Sequence, residues 1–344
     1  YHTVIIRNCA TLIKFYNSIK SQTTGLGQLV RHLHIYIDEP RFHKKVKNIL
    51  AGIRDLVPNL RSIETLWSST VGNVFLDQIR AVEKLEVVKL RTTSSKYIDL
   101  LELENLKVVD LILLGDDSNV ENSTEIASNV RQLSVDEFAI NVLTPSPLLI
   151  PFLQHVNAKD VTLNIQHGSD LMSRSLAALT SSTISHMTLD NNFGTPYVLE
   201  SQLNPFTLLR HLSLGDGMTP NKSFFTAILA TPLISLCLDR DFDLDAQSLI
   251  DALKGPTGSK ELKKLQLDNI EVQEEDPSDD EGYRNAYGVG RLPDCWTATC
   301  KMEHIDELKK LSQSCGYNLS GTALYARELS RELLAEELYY SGRA

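Results

Sequence analysis

Two groups of residues in the 344-residue sequence have the side-chain types of chemistry. His211 and Cys237 fall at outward positions of adjacent predicted strands, with Asp160 and His186 on neighbouring ones, so a cysteine–histidine nucleophile pair is conceivable. An outward sheet face lacks water exclusion and evident oxyanion donors, so a solvated polar face is the favoured reading. Cys295, Cys300, His304 and Cys315 could be read as metal ligands. Their spacing matches no zinc module, and Trp296 between them points to packing. Gly288-Val289-Gly290 is too short to cradle a phosphate. Ser278 precedes Asp279, Asp280 and Glu281 as an acidophilic kinase would accept, although a plain solvated loop is the better reading. No catalytic residue, cofactor or metal site is therefore expected.

The elements that carry these residues repeat along the chain. An aliphatic-x-x-aliphatic-x-aliphatic pattern occurs as Val30-Leu33-Ile35, Leu85-Val88-Leu90, Leu106-Val109-Leu111, Val130-Leu133-Val135 and Ala158-Val161-Leu163. It continues as Ile184-Met187-Leu189, Leu209-Leu212-Leu214, Leu233-Leu236-Leu238 and Leu262-Leu265-Leu267, with an imperfect copy at Leu60-Ile63-Thr65. The spacing matters more than the triplet. Steps between middle residues are 30, 25, 21, 24, 28, 26, 25, 24 and 29, and all but the first fall in the range of leucine-rich repeats.

Between the copies, Phe42 to Ile53 places apolar residues at helical spacing. Thr219-Pro220-Asn221 reads as a helix start, and Thr144-Pro145 and Thr195-Pro196 open similar segments. Helices of this length between strands enforce parallel pairing. Alternate strand residues face opposite ways, so the aliphatic set points inward and the x set outward. The expected fold is an α/β leucine-rich-repeat solenoid: an irregular horseshoe with a parallel sheet on its concave face and helices on its convex face. Neighbours must stack, because one repeat cannot bury its own apolar face.

The pattern resembles the leucine-rich-repeat region of fungal F-box-like proteins, whose repeats begin with a motif similar to Leu29-Val30-Arg31-His32-Leu33-His34-Ile35. The resemblance covers about Leu29 to Ile270. The usual strand-end Asn is mostly replaced, by Thr93, Leu114, Phe138, Gln166 and Gly217, with Asn192 the exception. The F-box itself is not in these residues. The resemblance implies the substrate-recognition part of an F-box-type ubiquitin-ligase receptor, contacting a Skp-type adaptor only if an F-box lies upstream. The alternatives are a regulatory protein such as a GTPase activator, or a free-standing scaffold.

Domain limits follow: residues 1–28 as a helical cap, 29–270 as about ten repeats, 271–290 as an acidic flexible loop, and 291–344 as a C-terminal cap. In the first cap, Arg7 to Ser21 reads as an amphipathic helix. In the last, Met302 to Ser314 reads as a helix, Tyr317 to Leu319 as a strand and Ala323 to Tyr340 as a final helix. The net charge of -10 is concentrated in Glu271–Glu281, which holds seven acids and no base. The remainder is near neutral, which argues against general affinity for nucleic acid or anionic membrane. Five cysteines in this length make no disulfide framework. There is no run of 18 apolar residues and no secretory leader, so a cytoplasmic or nuclear location is expected. The chain opens at Tyr1 rather than Met, which reads as a piece of a longer protein.

The outward positions hold the candidate contacts. The early strands offer His32, His34, Tyr36, Lys89 and Arg91. The later ones offer Asp136, Asp160, Asp190, Asp239 and Asp268, expected to form one acidic edge facing a basic protein partner. The competing reading is that Asp after a strand only starts the turn.

Overall fold

The computed structural model describes residues 2–21, 25–37, 43–115, 131–166, 169–191, 197–199, 202–239, 244–255, 261–268 and 300–325. The acidic segment with Ser278, Cys295, Trp296, Gly288 to Gly290, Asn192 and the final helix beyond Tyr325 lie outside the described residues. The chain divides into two compact units, Tyr1–Ile184 and Ser185–Ala344.

The first unit runs β1 (Thr3–Ile6), α1 (Cys9–Ser21), β2 (His32–Ile35), α2 (His43–Leu56), β3 (Ser62–Thr65), α3 (Ser69–Leu76) and β4 (Val87–Thr92). A 3-10 segment at Ser95–Glu102 leads to β5 (Val108–Leu114) and β6 (Leu133–Thr144). Then come α4 (Leu149–Leu153), β7 (Val156–Ile165) and α5 (Ser169–Ala178). Each of its strands pairs in parallel with the next. In the second unit, β8 (His186–Asp190), β10 (His211–Leu214), β12 (Ser235–Asp239), β13 (Lys264–Asp268) and β14 (Asn318–Ser320) pair in parallel in that order. Its helices are α6 (Lys222–Leu229), α7 (Ala246–Lys254) and α8 (Met302–Cys315). A second sheet pairs β9 (Tyr197–Leu199) with β11 (Met218–Pro220).

One backbone device explains the spacing of the aliphatic residues. The Arg31 carbonyl accepts from both Arg61 N–H and Ser62 N–H, and the Arg61 carbonyl accepts from Glu86 and Val87. The Glu86, Lys107, Ser185, Arg210 and Ile234 carbonyls do the same for the next strand in their own unit, all at 2.7–3.1 Å. Two successive N–H groups on one oxygen kink the strand, as in a bulge. Two residues, not one, must then separate the first inward side chain from the second. After the kink the strand alternates normally: β4 is inward at Val88, Leu90 and Thr92 and outward at Val87, Lys89 and Arg91. Leu90, Leu111 and Leu214 have no solvent exposure. Burying each such side chain contributes about 1.5–3 kcal/mol.

Three local expectations are corrected. The Val130-Leu133-Val135 copy is out of phase by five residues. Opposite Val109 and Leu111 stand Phe138 and Ile140, and Phe138 is core rather than a strand-end residue. Leu133 and Val135 are also inward, opposite Val156 and Ala158, because β6 is long enough to hold both sets. The segment after Pro196 is a strand at Tyr197–Leu199, not a helix, since its partner β11 supplies backbone bonds beside it. A strand at Thr3–Ile6 precedes α1 and pairs with β2, so the N-terminal segment adds a strand as well as a helix.

Helix α3 fixes the end of β4. A Cβ on Gly72 would lie 2.0 Å from the Arg91 carbonyl oxygen, so only glycine lets the helix approach this closely. Asn73 then accepts from the Thr92 hydroxyl at 2.6 Å and Thr93 N–H at 3.1 Å, and donates to the Thr93 hydroxyl at 2.8 Å. This helix asparagine binds the strand end where a leucine-rich repeat would use a strand-end one.

Candidate functional site

Parallel sheets are usually covered on both faces. Here the positions alternating with the core keep partial exposure along β4, β5 and β7, so among the described residues one face lacks a helical layer. That face is the candidate site.

In the first unit, the position between the first two inward residues reads His34, Glu64, Lys89 and Asp110 in register on successive strands. Charge alternates along this row, and cross-strand opposite charges are mutually favourable. Tyr36 donates its hydroxyl to Glu64 Oε1 at 2.9 Å, and His34 Nδ1 lies 3.1 Å from Glu64 Oε2. Burial first, then the Glu64 bond and its charge, raise the Tyr36 phenol above its usual value, while Arg7 acts in the opposite direction. Trp67 meets the Tyr36 ring edge-on at 6.4 Å and is 60 % exposed. Further along, Lys89, Asp110, Glu137, Asp160 and Thr162 surround an open recess floored by Ala139. Burial pushes the Asp110 carboxyl up, against the pull of Lys89, while Glu64 adds to the rise.

The residues singled out from sequence separate into three settings. His32 and Tyr36 stand at opposite ends of β2 and Lys89 and Arg91 in β4, two strands on in the same unit. Asp160 lies in the recess. Asp136 sits at the kink position, where Lys159 holds it at 2.8 Å, so its carboxyl is pulled below the usual range. Asp190, Asp239 and Asp268 belong to the second unit and follow the last inward residue of their strands. These five aspartates therefore occupy three different strand positions. Asp268 accepts from Thr322 N–H at 3.0 Å and from Gln266, so it ties β13 to the segment that follows β14.

Sequence reasoning passed over Arg7, Glu64, Trp67, Asp110 and Glu137. Glu64 and Asp110 stand at x positions of the quoted triplets and were readable there. Trp67 lies two residues past its strand, where the triplet gives no signal.

The described members of the two chemical constellations stand as follows. Cys237 is half-buried, and burial raises its thiol, opposite to what a nucleophile needs. The His186 and His211 rings stack on each other, with centroids 4.2 Å apart. Cys300 is pushed up to about 11 by burial, and His304 Nδ1 accepts the Lys301 N–H at the start of α8. Among the described residues no group of three or more His, Cys, Asp or Glu could hold a metal ion, and no helix is long and apolar enough to cross a membrane.

A scan of protein-family models and a search of curated proteins each give no match for this chain.

Proposed function

We propose that this chain is a leucine-rich-repeat-type solenoid module that binds another protein through its outward sheet face and carries no catalytic centre. The observation that carries the reading is the bare face itself. A parallel sheet that leaves one side uncovered, with Tyr36, Trp67, Lys89 and Arg91 on or beside it, has the residue types that anchor protein interfaces. The raised Cys237 thiol speaks against the nucleophile alternative. On the resemblance of the repeat pattern, we extend the proposal to the substrate-recognition part of an F-box-type receptor. A Skp-type adaptor would then be contacted by an F-box outside these 344 residues.

The test is affinity capture with the parent chain, a sheet-face variant (Trp67→Ala with Lys89→Glu) and a helix-face variant (Lys14→Glu with Lys47→Glu). Partners lost on the first variant and kept on the second bear the proposal out. Equal capture by both variants sinks it. Co-purification of an adaptor with the longer protein tests the F-box extension separately.

A further inference from the structure

The residue after the second inward position, one step beyond Ile6, Ile35, Thr65 and Leu90, reads Arg7, Tyr36, Leu66 and Arg91 at the first four strands. Two guanidinium groups therefore bracket an aromatic and an aliphatic residue, with the exposed Trp67 ring against Tyr36. Neither Arg7 nor Arg91 has an ion-pair partner among the described residues, whereas Arg61 pairs with Glu86 and Arg80 with Asp99 and Glu102. The centre is held in place rather than loose, because Glu64 accepts from Tyr36 and faces His34. Gly72 and Asn73 fix the strand end that carries Arg91.

We propose that this part of the face binds an extended peptide in which one apolar side chain is flanked by two carboxylates. The inference deepens the reading of the sheet face as a protein-binding surface and rests on it. Three strand steps separate Arg7 from Arg91, about 14 Å. A peptide crossing the strands advances about 3.4 Å per residue, so carboxylates four residues apart reach both guanidiniums. The apolar residue midway meets Tyr36 and Trp67. Arginine pairs with carboxylate through a planar fork, which rewards this spacing over diffuse negative charge. Aromatic and basic groups also suit single-stranded nucleic acid. A phosphate backbone would carry charge at every step, including beside Glu64, whereas this peptide confines its two carboxylates to the arginines and places an apolar side chain at the centre, so peptide is favoured.

The probe is the blocked peptide Glu-Ala-Phe-Ala-Glu. Binding is read by Trp67 fluorescence in a Trp296→Phe chain, which leaves Trp67 as the sole indole. The expected result is saturable binding at least tenfold tighter than for Lys-Ala-Phe-Ala-Lys or Glu-Ala-Ala-Ala-Glu, weakening as salt rises. The Arg7→Glu/Arg91→Glu chain is expected to reverse the preference and bind the lysine peptide. That gain also shows the variant is folded. No saturable signal, or equal affinity for the acidic and basic peptides, overturns the inference. So does tighter binding of an oligo-uridine RNA that is lost in the double variant. If the peptide preference fails but partner capture still drops in the Trp67→Ala/Lys89→Glu variant, the recognition reading survives and only this assignment falls.

Discussion

The position after the second inward residue of a strand carries different residues in the two units. In Tyr1–Ile184 it carries Arg7, Tyr36, Leu66 and Arg91, and the two arginines have no ion pair among the described residues. In Ser185–Ala344 it carries Asp190, Gly215, Asp239 and Asp268, and Asp268 is engaged by Thr322 and Gln266. The strands differ too. The β5–β6 and β6–β7 registers run to seven and nine residue pairs, whereas those of the second unit span three to five. Where helix α3 closes the turn, through Asn73, the same position is released for contact.

The comparison breaks most visibly in the core of the unit with short registers. Leu212 is buried among short strands, and Leu212→Asp places a charge there without a partner. A loss on the order of 5 kcal/mol or more is expected. Hydrogen exchange should show protection disappearing together across β8, β10 and β12. Protection retained in β12 would mean that these strands do not share one core.

A smaller contrast lies in the glycines. Gly72→Ala in the first unit drives a methyl against the backbone oxygen of Arg91, which cannot rotate away. The expected cost is about 1–3 kcal/mol, or several degrees in Tm. At Gly215 of the second unit the added carbon would meet only the Asp190 side chain, 3.1 Å away, so Gly215→Ala should cost less. Equal losses in calorimetry would remove the claim that α3 is the closer-packed lock.

Helix caps differ from helix to helix rather than from unit to unit, since Asn8 in the first unit accepts from Thr11 N–H at 2.9 Å. In the second unit Asn221 accepts from Phe224 N–H at 2.9 Å and Asp245 from Ser248 N–H at 3.0 Å. Ser68 before α3 makes no such bond. Asn221→Ala is expected to cost about 1 kcal/mol and Ser68→Ala almost nothing, measured by urea unfolding.

Much of this was legible in the residues. The triplets place most strands, and Thr219-Pro220-Asn221 marks the start of α6 because a capping residue precedes an apolar stripe. The phase error at β6 and the pooling of outward residues share one cause. The aliphatic pattern marks which residues can face inward, not which backbone kink they follow, so at β6 both Val130-Leu133-Val135 and Val135-Phe138-Ile140 satisfied it. Outward residues were then pooled although they belong to the kink, the strand middle and the strand end. Asp136 and Asp160 were grouped with Asp190 for that reason. The pairing of Glu64 with both Tyr36 and His34 depends on strands 28 and 30 residues apart coming together, which no local pattern contains.

The smallest predicted effect separates two aspartates by sign. Asp110 in the first unit is raised by burial, so its folded form holds the proton to higher pH than the unfolded chain does. A carboxyl raised in this way favours folding below the ordinary carboxylate range near pH 4, and that benefit is lost as pH rises through its folded value. At neutral pH the charged group is therefore a liability, only partly relieved by Lys89. Asp110→Asn should melt slightly above the parent at pH 7 and alongside it at pH 3, where the parent carboxyl is already protonated. Asp268→Ala in the second unit removes the bond to Thr322 N–H and should melt slightly lower at pH 7, by about 0.5–1.5 kcal/mol. If Asp110→Asn instead melts below the parent at pH 7, the pull of Lys89 outweighs burial. The alternating row from His34 to Asp110 would then be a net brace of the sheet rather than a charged face held ready for a partner.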